Sequence, residues 1–267
     1  MTGARGPPCC VDGIEKSTTT GEFMPTKTFQ IPMADGHADV FAAFPDDQVP
    51  HPGVLMYPDA FGPRPVLREM AQKLAAHGYY VLVPNIFYRH GRAPLVALPD
   101  HIGEEIRPAL VDQLMPFIHL HTAERVSSDA EVYLQFLEEQ PEVSTGEVGV
   151  VGYCIGGLLA TRTAAVYPSR IAAIAAFHGP VAADRIEELA KITAEVHFGH
   201  AAGDLTPEAL NELNRALDAA QLSYNSEIYP GTIHGFTMSD TDAFDPAGLQ
   251  RHWDRLLALF ERALGTN

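Results

Sequence analysis

The sequence predicts an α/β fold, with helices covering a mostly parallel, doubly wound sheet that opens antiparallel. Three observations predict it. From Thr28 onward, short β-rich runs alternate with helical patterns. Runs such as Gly53–Tyr57 and Ile171–Phe177 are apolar throughout, as strands covered on both faces are. Apolar residues, 46% of the chain at a mean hydropathy of −0.03, recur from Phe29 to Leu264 without a linker, which indicates one packed core.

Taken in order, Thr28–Pro32 and Val40–Phe44 read as a hairpin around Asp35-Gly36, and Gly53–Tyr57 as the first buried strand. Val66–Ala76 has helical spacing and is stopped by Gly78; Tyr79–Pro84 is the next strand. Between Phe87 and His121, Pro94, Pro99, Pro108 and Pro116 interrupt short apolar pieces, so residues 88–121 or thereabouts are expected to be an irregular cap insertion over a site. Regular patterning returns with a helix over Glu124–Glu139, whose acidic face is solvated, a strand over Glu147–Val151, a small-residue helix over Gly156–Tyr167 and a strand over Ile171–Phe177. A strand at Val196–Gly199, a helix at Pro207–Ala220, a strand at Ser223–Tyr229 and a closing helix at Pro246–Leu264 complete the series. The expected organisation is a flexible tail over residues 1–24 and a single domain over 25–267.

A net charge of −16 lacks the clustered cations that hold phosphate backbones, so no nucleic acid and no anionic membrane is expected as a partner. No run approaches the ~18 apolar residues of a membrane span, and residues 1–24 lack a signal-peptide core. Three cysteines, two of them adjacent at Cys9 and Cys10, make no disulfide framework, which fits the cytoplasm. There is no H-E-x-x-H, no G-x-G-x-x-G and no phosphate-binding G-x-x-x-x-G-K, so neither metal nor cofactor is expected. His178, His197 and His200 read first as structural histidines.

The chemistry concentrates at Gly152-Tyr153-Cys154-Ile155-Gly156-Gly157, between a strand and a helix. Glycines on either side of a nucleophile suit a strained turn in which neighbouring backbone leaves no room for a Cβ. The helix that begins there offers free N–H groups and positive potential to a thiolate or an oxyanion. Asp204 and His234 follow later strands in the order nucleophile, acid, base, so all three can emerge at one sheet edge. Each has a plainer reading alone: Cys154 as a buried thiol, Asp204 as a turn residue ahead of a Thr206 helix cap, His234 as a structural hydrogen bonder.

Together, Gly-Tyr-Cys-Ile-Gly-Gly at 152–157, Asp204 and His234-Gly235-Phe236 resemble the dienelactone hydrolase family over roughly Phe29–Leu264. The resemblance implies an α/β-hydrolase fold, a cysteine nucleophile and small ester or lactone substrates. It also implies that Asp59, in Tyr57-Pro58-Asp59-Ala60-Phe61-Gly62, stands where the family carries a thiol-gating glutamate, and that Arg89 grips the substrate carboxylate. The backbone N–H groups of Ala60 and Ile155 would form the oxyanion hole. Where the family has a second arginine, four residues after the histidine, this chain has Met238. The expectation is a Cys154–His234–Asp204 hydrolase of a small-molecule ester or lactone, acting as monomer or homodimer. A general short-chain carboxylesterase, a non-catalytic ligand-binding member of the fold and a thiol redox protein are the alternatives.

Overall fold

The computed structural model describes residues 24–179 and 186–265. The expected tail, with Cys9 and Cys10, lies outside the described residues except for Met24. Among the described residues eight strands form one sheet in the order β1-β2-β4-β3-β5-β6-β7-β8. They are β1 (Thr26–Met33), β2 (Gly36–Ala43), β3 (Gly53–Tyr57), β4 (Tyr80–Pro84), β5 (Val148–Tyr153), β6 (Ile171–Phe177), β7 (Glu195–Ala201) and β8 (Tyr224–Tyr229). Pairing is antiparallel at β1·β2 and β2·β4 and parallel from β4 through β8. The helices are α1 (Pro65–Ala75), α2 (Arg107–Ile118), α3 (Ala123–Glu138), α4 (Ile155–Val166), α5 (Ile186–Leu189), α6 (Pro207–Ala219) and α7 (Pro246–Leu264).

The central strands β3, β4 and β5 are buried at every residue, which their unbroken apolar sequences require. Alternation then divides the core between two faces. Val54, Met56, Val81 and Val83 point to the side covered by α1 and α7, while Leu55, Tyr57, Tyr80 and Leu82 join the core on the side of α3 and α4. Helix α7 presents Trp253, Leu256, Leu259 and Phe260 to its face, a 3.6-period stripe, and Asp245 caps it through Gly248 N. Thr206 accepts from Ala209 N at 3.2 Å and caps α6, as its position before Pro207 predicts.

Two expectations change. The hairpin turn is Ala34-Asp35, with Gly36 already paired to Met33, so β2 begins earlier than its hydrophobic pattern indicates. The irregular insertion contains a full helix, α2. Pro108 sits in its first turn, where no N–H bond is lost; Pro116, inside the last turn, forgoes a bond to the Asp112 carbonyl shortly before the helix ends at Ile118. Among the described residues, no helix is long and apolar enough to cross a membrane.

Candidate active site

The parallel strands deliver their carboxyl ends to one edge, where Asp59 follows β3, Cys154 follows β5, Asp204 follows β7 and His234 follows β8. Cys154 occupies the turn from β5 into α4 with φ 53° and ψ −123°, a conformation that costs a residue with a Cβ of order 1–3 kcal/mol. Its surroundings explain the flanking glycines. A Cβ on Gly152 would lie 2.0 Å from the carbonyl oxygen of Gly156, and one on Gly156 would lie 2.6 Å from those of Tyr57 and Pro58. The turn is thereby pressed against the exit of β3, and Cys154, a free thiol, stays partly exposed.

The Asp204 and His234 loops are stitched together before their side chains meet. Ala202 N donates to Thr232 Oγ1 at 3.3 Å, and Gly203 N to the Thr232 carbonyl at 3.3 Å. His234 Nδ1 then lies 2.7 Å from Asp204 Oδ2, which leaves Nε2 as the other face of the ring. Cys154 lines the same cavity as this imidazole and favours its charged form. Burial disfavours the charged ring, yet the Asp204 hydrogen bond, and after it Cys154, outweigh burial and lift the His234 pKa to about 10. His178, at the end of β6, packs edge-on to His234 with ring centroids 5.2 Å apart and contacts Thr237 Oγ1 through Nε2 at 2.8 Å. Burial holds its pKa well below the usual imidazole range, so it forms a neutral wall.

Cys154, His234, Asp204, Asp59, Ala60 and Ile155 all line one cavity of about 850 Å³. Ile155 is the first residue of α4, whose N–H has no carbonyl of its own helix to bond. The Asp59 carboxylate lines the cavity and has partners of its own. It accepts from Phe61 N at 3.0 Å and from both terminal nitrogens of Arg64, at 2.6 and 3.0 Å. Arg64 is itself buried and reaches on to Asp240, with its Nε 2.5 Å from Oδ2. This Asp59–Arg64–Asp240 chain ties the β3–α1 loop to the loop that carries His234.

Arg89 does not reach the cavity. Its guanidinium is bidentate to Asp129 of α3 at 2.6 and 2.7 Å, bonds Asp35 of the hairpin turn at 2.8 Å and covers the Tyr88 ring. The side chain therefore braces α3 to the antiparallel end of the sheet, and the expected substrate grip is not formed. Among the described residues, the cation that lines the cavity is Arg107, at the start of α2, which donates from a terminal nitrogen to the His234 carbonyl at 2.9 Å. Sequence reading passed over Arg107, Arg64 and Asp240. It also passed over Val111, Met115 and Ile118, whose i, i+4, i+7 spacing inside the proline-rich stretch was the available signal. Met238, by contrast, lies in the cavity wall, 1% exposed. Among the described residues no group of His, Cys, Asp and Glu could hold a metal ion.

Comparison with known proteins adds independent findings. The model of the family described as "Dienelactone hydrolase family" matches residues 38–264. A protein of Methylorubrum extorquens that bears a provisional carboxymethylenebutenolidase name is 23% identical over 243 residues, covering 87% of this chain and 79% of its own. The carboxymethylenebutenolidase of Pseudomonas putida is 31% identical over 142 residues, covering 53% of this chain and 57% of its own. Among solved structures, a dienelactone hydrolase-like promiscuous phosphotriesterase, P91, from metagenomic libraries superposes with a TM-score of 0.75 at 21% identity, covering 90% of this chain and 99% of its own.

Proposed function

From the premise that the chain belongs to the dienelactone hydrolase family and is a hydrolase acting on a lactone or ester, we propose that Cys154 is its nucleophile, His234 its acid–base and Asp204 the residue that orients the histidine. The observation that carries this reading is the single imidazole joined to Asp204 at 2.7 Å on one nitrogen, in one cavity with Cys154.

His234 takes the Cys154 proton, and the ring, whose pKa is raised to about 10, holds it. The thiolate so formed meets the carbonyl. The S–C bond forms, the carbonyl electrons move onto oxygen, and the N–H groups of Ala60 and Ile155 receive that oxyanion. Collapse of the tetrahedral adduct breaks the ester C–O bond, and His234 gives its proton to the departing alkoxide or enolate. The now neutral imidazole takes a proton from water as the water adds to the thioester. A second collapse expels the thiolate, releases the carboxylic acid and restores the starting pair.

Asp59 and Arg89 take different parts in this proposal from those the family resemblance implies. Asp59, held by Arg64, fixes the loop that presents Ala60 N–H, and Arg89 serves the fold. The test is hydrolysis of p-nitrophenyl acetate and of an enol lactone by the purified protein, with Cys154→Ala alongside. Turnover in the parent and its loss in the variant, together with a trapped acyl-thioester on Cys154 by mass spectrometry, is the expected result. Undiminished turnover by Cys154→Ala would remove the nucleophile assignment, and an inert parent protein would favour a binding member of the fold.

A further inference from the structure

The assigned site uses one corner of its cavity, and the rest has a chemistry of its own. At about 850 Å³ the space stands toward the upper end of the ~300–1,000 Å³ range of sites that enclose drug-sized ligands, far beyond what an acetyl group fills. Its roof is α2. Leu114 is the helix residue buried in the core, while Val111, Met115 and Ile118, at i, i+4 and i+7, form a half-buried stripe turned to the cavity. Phe61, Leu205 and Met238 line the same space, the first and last almost fully buried. Val111 and Ile118 also touch the core, and the part of the stripe that stays open faces the cavity, where it suits an apolar occupant.

Charge points the same way. The cation among the described lining residues is Arg107, and one of its terminal nitrogens is spent on the His234 carbonyl. Asp112, on the same helix, also lines the cavity, Asp59 is neutralised by Arg64, and Asp204 by His234. Among the described lining residues no second cation stands beside Arg107 to hold a carboxylate, and the chain as a whole carries −16, which repels anions at a distance.

Resting on the assignment of Cys154 as nucleophile, we infer that the preferred substrates are uncharged esters with a hydrocarbon chain of several methylenes, seated beneath the Val111–Met115–Ile118 stripe. Each methylene transferred from water to that surface should raise kcat/KM about fourfold until the space is filled.

The experiment compares p-nitrophenyl acetate, butyrate, hexanoate and octanoate with the acid-terminated p-nitrophenyl suberate monoester, and octyl acetate with ethyl acetate. The expected result is a kcat/KM that climbs with chain length in at least one series, and octanoate preferred at least tenfold over the suberate monoester of equal length. Met115→Trp, which narrows the cavity, and Val111→Asp, which charges the stripe, should each collapse the octanoate-to-acetate ratio toward one. A flat or falling length series in both, or preference for the suberate monoester, overturns the inference. Binding is read separately from turnover by the melting temperature of Cys154→Ala with methyl octanoate, methyl acetate or monomethyl suberate. A shift largest for methyl octanoate is expected even if no ester is hydrolysed, and no shift, or a larger one with monomethyl suberate, counts against the inference. Loss of all turnover with that binding preference intact would instead indict the nucleophile assignment.

Discussion

At the scale of single residues, the site rests on how one imidazole is shared. Asp204→Asn keeps the shape of the side chain but removes the carboxylate that outweighs burial at His234. The His234 midpoint, followed by NMR, should fall from about 10 toward the ordinary imidazole value, and ester turnover should drop by about a hundredfold or more. The sign for stability follows from the same shift. A histidine whose folded pKa lies above its unfolded value contributes stability that is whole below about pH 6.5 and is lost as the pH climbs to about 10. The variant should flatten that alkaline limb in urea unfolding, and an unchanged limb would mean the pair is not formed in solution. Cys154, Asp204 and His234 were legible in the sequence because each sits just beyond a strand, in chain order, with glycine beside two of them. Arg89 misled because a local motif says nothing about Asp129, 40 residues away, which claims its guanidinium. Arg64 and Asp240 were invisible for the same reason, being 176 residues apart.

At the scale of elements, the turn between β5 and α4 holds the most crowded of the described glycines, Gly152. Gly152→Ala would bring a methyl to 2.0 Å from a backbone oxygen that no rotamer change can move. We expect the variant to lose about 3 kcal/mol or more in urea unfolding, or to fail to accumulate as folded protein. Parent-like stability would show that the turn has room that the described geometry denies. The order of strands and helices was readable almost throughout, since buried parallel strands announce themselves as apolar runs and helices by their period. Helix α2 was missed, because four prolines between Phe87 and His121 outweighed the helical spacing of Val111, Met115 and Ile118; Pro108 sits in the first turn at no cost, and Pro116 falls so near the end that only its bond to the Asp112 carbonyl is forgone.

At the scale of the whole molecule, the core carries an unusual load of neutral histidine. Burial depresses His178 and His252 well below the usual value and takes His197 and His200 to about 4. Such groups stabilise the fold fully above the unfolded pKa of about 6.5, and that stability is lost as pH falls toward 4, each contributing up to about 1.4 kcal/mol per pH unit. The urea midpoint should therefore drop steeply between pH 6.5 and 4, and His252→Phe should make the fall shallower; equal slopes in parent and variant would show that His252 titrates alike in both states. The tie that Arg64 makes between Asp59 and Asp240 also has a meaning in time. As a chain grows from its amino end, Cys154 is made eighty residues before His234 and eighty-six before Asp240, an interval of roughly 4–17 s at ordinary rates of synthesis. On the proposed roles, the thiol lacks for those seconds both its base and the far anchor of its neighbouring loop. Its reactivity then belongs to the finished protein, after the loop that carries His234 has emerged.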